Sequence, residues 1–206
     1  MWFALGIVAY ALVHPVAQVG WTMWTIHWST VIGLTALGGA YVWGARHLRE
    51  RALHAGAEPP MLRRRQQVAF FSGLLVIFLS LNGPLHDLSD TYLFSAHMVQ
   101  HLVLALAVPP LLLVGTPGWM LRPFLANAKL GAVARTITKP IHCFIIFNVV
   151  ISLWHLPPMY NTAMEYHPIH IVQHLTLMVA SVLMWWPFLS PLPELPRLSY
   201  PGQMLY

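Results

Sequence analysis

The sequence predicts an all-α protein, a polytopic transmembrane helix bundle in which residues 1–206 form a single transmembrane domain. Three observations carry this. Hydrophobic residues make up 57% of the chain and charged residues only 8%, a balance that a soluble domain of this size does not sustain. The apolar stretches run on for about 20 residues, the length a helix needs to cross a bilayer, without the alternation of an outer-membrane barrel strand. The eleven Lys and Arg are confined to Arg46–Arg65, Arg122–Lys139 and Arg197.

Taken in order, Met1–Val19 is apolar but interrupted by His14 and Pro15, and no basic stretch precedes it. It reads as a signal-like segment or as an extra helix. Five spans follow, at Trp24–Ala45, Val68–Leu85, Leu93–Val114, Pro140–Leu156 and Pro168–Ser190, giving five to six in all. The second and fourth are close to the shortest length that crosses a bilayer. Pro109-Pro110 falls near the middle of the third span, where missing N–H donors free backbone carbonyls. The outcome there is a hinge or a static kink.

Charge orients the bundle. The loops Asn82–Tyr92 and Pro157–His167 contain no Lys or Arg and hold Asp87, Asp90 and Glu165 instead. By the positive-inside rule the basic loops are cytoplasmic and these acidic loops are outside. The net charge of +5 belongs to loops that orient the protein and touch lipid headgroups. The bilayer is therefore a partner, and nothing points to nucleic acid. The single Cys143, near the inner end of the fourth span, reads as an inert buried thiol.

Of the twelve histidines, nine lie on or near the outer face: His14, His27, His86, His97, His101, His155, His167, His170 and His174. His14, His86 and His167, taken singly, read equally well as interfacial residues. His47, His54 and His142 lie towards the other side and read as ordinary background. Four of the nine belong to a repeated unit. His97–Ala107 reads HMVQHLVLALA and His170–Ala180 reads HIVQHLTLMVA, identical at seven of eleven positions. Histidines four apart on a helix project from one face, one turn apart, and ionisable groups inside a membrane mark a site. The alternative is that they hydrogen-bond between helices and hold the bundle together. Gln100 and Gln173 either orient an imidazole or bridge to a neighbouring helix.

The repetition extends outward. Asn82 precedes His97 by fifteen residues and Pro84 by two, and His155 bears the same relation to His170 and Pro157. Each unit reads span, outer loop, H-x-V-Q-H, span, a duplicated two-helix unit running in parallel. Two such units facing one another bring four histidines together, with His155 and His27 near the same depth. Imidazole suits copper, zinc, iron and nickel alike. Met98, Met159 and Met164 add softer donors on the outer side, or serve as filler.

Several stretches carry a resemblance. Leu93-Phe-Ser-Ala-His97-Met-Val-Gln-His101 is followed by Pro109-Pro-Leu-Leu-Leu-Val-Gly-Thr-Pro117. Then come Trp154-His-Leu-Pro-Pro-Met-Tyr160, the second histidine pair, and Trp185-Trp-Pro187. Over about residues 80–190 the chain resembles the CtaG family of membrane-integral cytochrome c oxidase assembly factors. The resemblance implies a multi-pass protein of the bacterial plasma membrane that helps build haem-copper oxidases by supplying copper to the catalytic subunit. It implies His97, His101, His155, His170 and His174 as copper ligands, with Cu(I) coming from a periplasmic donor. It also implies a bundle of about seven spans. Against that expectation the chain stops at Tyr206, so the C-terminal helices of the family are absent and it reads as a fragment or a shortened variant.

Other classes are a haem-binding electron-transfer protein with one axial histidine from each of two helices, and a di-iron membrane oxidase. The second carries boxes of the type H-x-x-H-H, absent here. Neither pair contains the Glu of H-E-x-x-H, which argues against an intramembrane zinc protease. Parallel repeats also occur in transporters, but no charged residue lies within a span to couple ions. No nucleophile with a neighbouring base and no phosphate loop occurs, so the sequence reads as a carrier and not an enzyme.

Overall fold

The computed structural model of the chain describes residues 24–91 and 94–206. The Met1–Val19 segment, with His14, lies outside the described residues. Eleven helices and no strand occur among those described.

The first helix, α1 (Trp28–His54), ends where Gly56 takes a left-handed conformation, φ +67°. There the Gly56 and Ala57 N–H groups donate back to the Leu53 and Ala52 carbonyls, which satisfies the last exposed acceptors of the helix. Next, α2 (Arg64–Leu81) begins with Arg64-Arg65-Gln66-Gln67 before its apolar run. At the corner that follows, Asn82 is fully buried. Its side chain accepts from the His27 N–H (2.8 Å) and donates to the Phe78 carbonyl (3.0 Å). Gly83 turns the chain with φ +79°, and a Cβ there would meet the Trp24 ring at 2.8 Å.

Both acidic loops contain helices, α3 (Pro84–Thr91) and α9 (Pro157–Glu165). Each opens on proline, whose fixed φ and missing N–H suit a first turn. The third expected span is two helices, α4 (Phe94–Leu106) and α5 (Val108–Gly115), joined at Ala107. Pro109 cannot donate to the Ala105 carbonyl four residues back, and Trp185 Nε1–H donates to it instead at 3.0 Å. The proline kink is thus fastened to another helix. Beyond it, α6 (Gly118–Ala126) and α7 (Ala128–Ile137) form a corner at Asn127, whose side chain caps α7 through the Lys129 and Leu130 N–H groups. The chain continues through α8 (Pro140–Trp154), α9, α10 (His167–Leu189) and α11 (Tyr200–Leu205). Buried Cys143 in α8 donates its S–H to the Ile137 carbonyl.

Among the described residues, two stretches are long and apolar enough to cross a membrane, Phe94–Gly115 and His167–Leu189. A third is added if α7 and α8, bent by 75°, count as one span. The other runs expected to cross are helical but weaker. Only Val68–Leu81 of α2 is free of its polar start, α1 is diluted before Arg46 by Ser29, Thr30, Thr35 and four glycines, and α8 at 15 residues is about 22 Å long against a hydrocarbon core of about 30 Å.

The centre of the bundle is the contact of α2 with α5 and of α10 with α5 and α8. Tyr41, Phe70, Leu74, Ile77, Leu81, Leu104 and Val108 form one buried cluster there. Tyr41 stacks on Phe70 at 3.9 Å and donates its hydroxyl to the Gly115 carbonyl at 2.9 Å. Large apolar side chains such as Trp28, Ile32, Ile141 and Val179 face outward, where lipid tails solvate them as well as a core does.

The α2–α5 crossing requires glycine at position 115, because a Cβ there would lie 2.5 Å from the Phe70 backbone nitrogen. Gly115→Ala is expected to destabilise the protein by about 1–3 kcal/mol, read as a lower unfolding midpoint in detergent. Gly39→Ala, whose Cβ meets nothing within 4 Å, is the control and is expected to leave the midpoint unchanged or raise it.

Candidate metal centre

Four imidazoles form a closed ring at one end of the bundle. The α4 spacing sets His97 and His101 edge to face, with centroids 4.3 Å apart, and the α10 spacing places His170 and His174 at 4.5 Å. Across the helices, His97 meets His170 at 6.2 Å and His101 meets His174 at 5.3 Å. Equivalent positions of the two H-x-V-Q-H units therefore face one another. His97 is fully buried, and His101, His170 and His174 are 8%, 4% and 5% exposed. The fifth expected residue, His155, caps α8 with its centroid 5.9 Å from that of His101, and its Nδ1 lies 2.6 Å from the Ile151 carbonyl. All five residues singled out in the sequence are thus brought together.

Three further histidines join them. His86 on α3 lies 5.8 Å from His170 and 6.3 Å from His174. His27, whose N–H is held by Asn82, lies 4.4 Å from His86 and 5.5 Å from His167. His27 was within reach of a sequence argument from depth, whereas His86 and His167 were not separable from interfacial background. The available signal was the crowding of nine histidines towards one side. His47 instead stacks on Trp43 at 5.0 Å. Among the softer donors, Met159 is half exposed.

The two glutamines differ although their sequence contexts match. Gln100 Nε2 donates to the Ser80 carbonyl at 2.7 Å and lies 3.0 Å from His86 Nδ1. The Ser89 hydroxyl lies 2.7 Å from both Gln100 Oε1 and the His86 carbonyl, which share its hydrogen. A carbonyl only accepts, so the amide nitrogen faces Ser80, His86 Nδ1 acts as acceptor, and the neutral His86 ring carries its proton on Nε2. Gln100 both bridges helices and orients an imidazole. Its counterpart Gln173 is 1% exposed and has no hydrogen-bond partner for either amide atom.

The residues fit a metal ion in donor chemistry and spacing. Two imidazoles on one ion place their centroids roughly 5–6.5 Å apart, given metal–nitrogen bonds of about 2.0–2.1 Å. The cross-helix pairs and the His101–His155 pair fall in that range. His101 Nδ1 and both nitrogens of His174 are buried without hydrogen-bond partners, a costly state that a bound cation relieves. His97 and His101 instead hydrogen-bond one another, Nε2 to Nε2 at 2.7 Å. As the rings are turned, no three His, Cys, Asp or Glu side chains among the described residues form a group able to hold an ion. The spacing is in place and the orientation is not.

Beside the ring, a cleft of about 630 Å³ opens between α1 and α10. His27, His86, His167, His170 and His174 border one part of it. Most of the remaining wall is apolar, from Leu34 and Leu37 to Phe124 and Trp186.

The fold and the cluster define an all-helical membrane protein with a ring of buried imidazoles at one end. The sequence profile of the cytochrome c oxidase caa3 assembly factors (Caa3_CtaG) matches residues 39–206, and the chain belongs to that family. An uncharacterised protein of Mycobacterium leprae is 24% identical over 196 residues, 87% of this chain and 28% of its own length. Uncharacterised proteins of Mycobacterium bovis and Mycobacterium tuberculosis are each 25% identical over 127 residues, 54% of this chain and 19% of theirs. The chain spans less than a third of the length of these relatives. No solved structure matches it.

The glutamine contrast is testable by thermal unfolding in detergent. Gln100→Leu strands the Ser80 carbonyl and the His86 ring and is expected to cost about 1–3 kcal/mol. Gln173→Leu removes an amide with no partner and is expected to be neutral or stabilising in the metal-free protein.

Proposed function

We propose that the protein is a non-enzymatic assembly factor that binds Cu(I) through His97, His101, His155, His170 and His174. It helps deliver the ion to the catalytic subunit of a haem-copper cytochrome c oxidase. The observation that carries this reading is the closed ring of four buried imidazoles with a fifth beside it, in a chain of an oxidase assembly family. Copper is the cargo here, received from a periplasmic donor.

The chemistry follows from the ligands. Neutral imidazole binds copper through a nitrogen lone pair, and no carboxylate takes part in the ring contacts described. Binding requires the His97–His101 hydrogen bond to open and the rings to turn towards a shared point. Ligand spacings across two helices that suit two to four nitrogens allow the ion to change partners one bond at a time. Such a site captures copper and still releases it, unlike a closed thiolate cage. Orientation in the bacterial plasma membrane follows the charge pattern, with the basic segments cytoplasmic and the histidine cluster outside. Five spans, α1, α2, α4–α5, α8 and α10, alternate consistently with that. The shared order of helix, proline-led short helix and histidine-bearing helix in α2–α3–α4 and α8–α9–α10 supports a duplicated origin.

The test is metal content and optical spectrum of the purified full chain beside His101→Ala/His174→Ala. A copper content that falls in the double variant, without a Soret band in either protein, is the expected result. A haem spectrum or bound iron lost in the same variant would replace this reading with an electron-transfer or di-iron function.

A further inference from the structure

The cluster is graded in exposure along one helix. On α10, His167, His170 and His174 follow at spacings of three and four residues, so they form one stripe. His167 is exposed, whereas His170 and His174 are buried. His27 stands opposite His167 at 5.5 Å, within the separation of two imidazoles sharing an ion. The backbone of His27 is fixed by Asn82, and its Nε2 is buried without a hydrogen-bond partner. All four of these histidines border the same cleft, so an ion moving between them stays within one continuous space.

Two further features favour a cation at this mouth. The loops Asn82–Tyr92 and Pro157–His167 contain acidic residues and no Lys or Arg, which biases the local field towards positive ions. His86 presents its ring edge to His27 at 4.4 Å. With its Nδ1 engaged by Gln100 and its proton on Nε2, it serves as a wall and not as a ligand.

We propose that His27 and His167 form a second, outer metal position that captures Cu(I) and passes it along α10 to His170 and His174. This inference rests on the copper-binding reading above and adds a loading route to it. Transfer is ligand exchange: a copper–nitrogen bond to His167 breaks as one to His170 forms, and copper remains monovalent throughout. No electron or proton is consumed.

Cu(I) uptake by the full chain in nanodiscs, followed with a chromophoric Cu(I) chelator as donor, tests it. Wild type is expected to hold more copper than His27→Ala/His167→Ala, and that variant is expected to fill its buried site about ten-fold more slowly. His167→Ala alone, at an exposed position, is expected to slow loading without changing the unfolding midpoint. His101→Ala/His174→Ala is expected to keep an outer copper whose X-ray absorption spectrum shows nitrogen ligands. Unchanged stoichiometry and loading rate in both His167 variants would overturn the outer position while leaving the buried site standing. A wild type that takes up no Cu(I) would overturn both.

Discussion

The histidine end of this bundle is organised around one carboxamide. Gln100 lies on α4, yet its side chain reaches the last turn of α2 through Ser80 and the α3 helix through Ser89 and His86. Buried amides and imidazoles are tolerated in an apolar interior only when their hydrogen bonds are met, and this network meets those of Gln100 across two helices. It holds α3 against the bundle, and α3 carries His86 to the ring. Asn82 does the matching work one turn away, tying the approach to α1 to the α2–α3 corner and setting His27 in place.

The second H-x-V-Q-H unit has no such network around its glutamine. His174 and Gln173 are buried as deeply as their counterparts on α4, but their nitrogen and oxygen atoms have no hydrogen-bond partners. The two H-x-V-Q-H units thus differ: the Gln100 side chain ties α4 to α2 and α3, whereas the Gln173 side chain ties its helix to none. The spacing of the rings is set by the helices, whereas their orientation is not that of a metal-holding group.

Much of this was legible in the sequence, for identifiable reasons. Histidine pairs at four-residue spacing survive projection onto one dimension, and their repetition marked the two helices that meet. The contacts of His86 and His167 were not legible, because each depends on a short helix or a turn whose packing a lone histidine does not encode. Pro84 and Pro157 were the overlooked markers of those helices. The unlike fates of Gln100 and Gln173 were hidden altogether, since identical letters acquire different neighbours only when α2 and α3 fold against one of them. Apolar run length overstated how many helices would meet a strict spanning standard. The polar start of α2, the glycines and hydroxyl residues diluting α1 and the short α8 account for the difference.

The bond from Trp185 to the Ala105 carbonyl also sets an order of events during synthesis. Donor and acceptor are separated by 80 residues, which at ribosomal rates amounts to on the order of 4–16 s of elongation. For that interval the proline-broken segment sits in the translocon or the bilayer with an acceptor that hydrocarbon cannot satisfy. Arrival of the tryptophan-bearing helix ends the wait, so closure of the bundle is timed by translation as well as by packing.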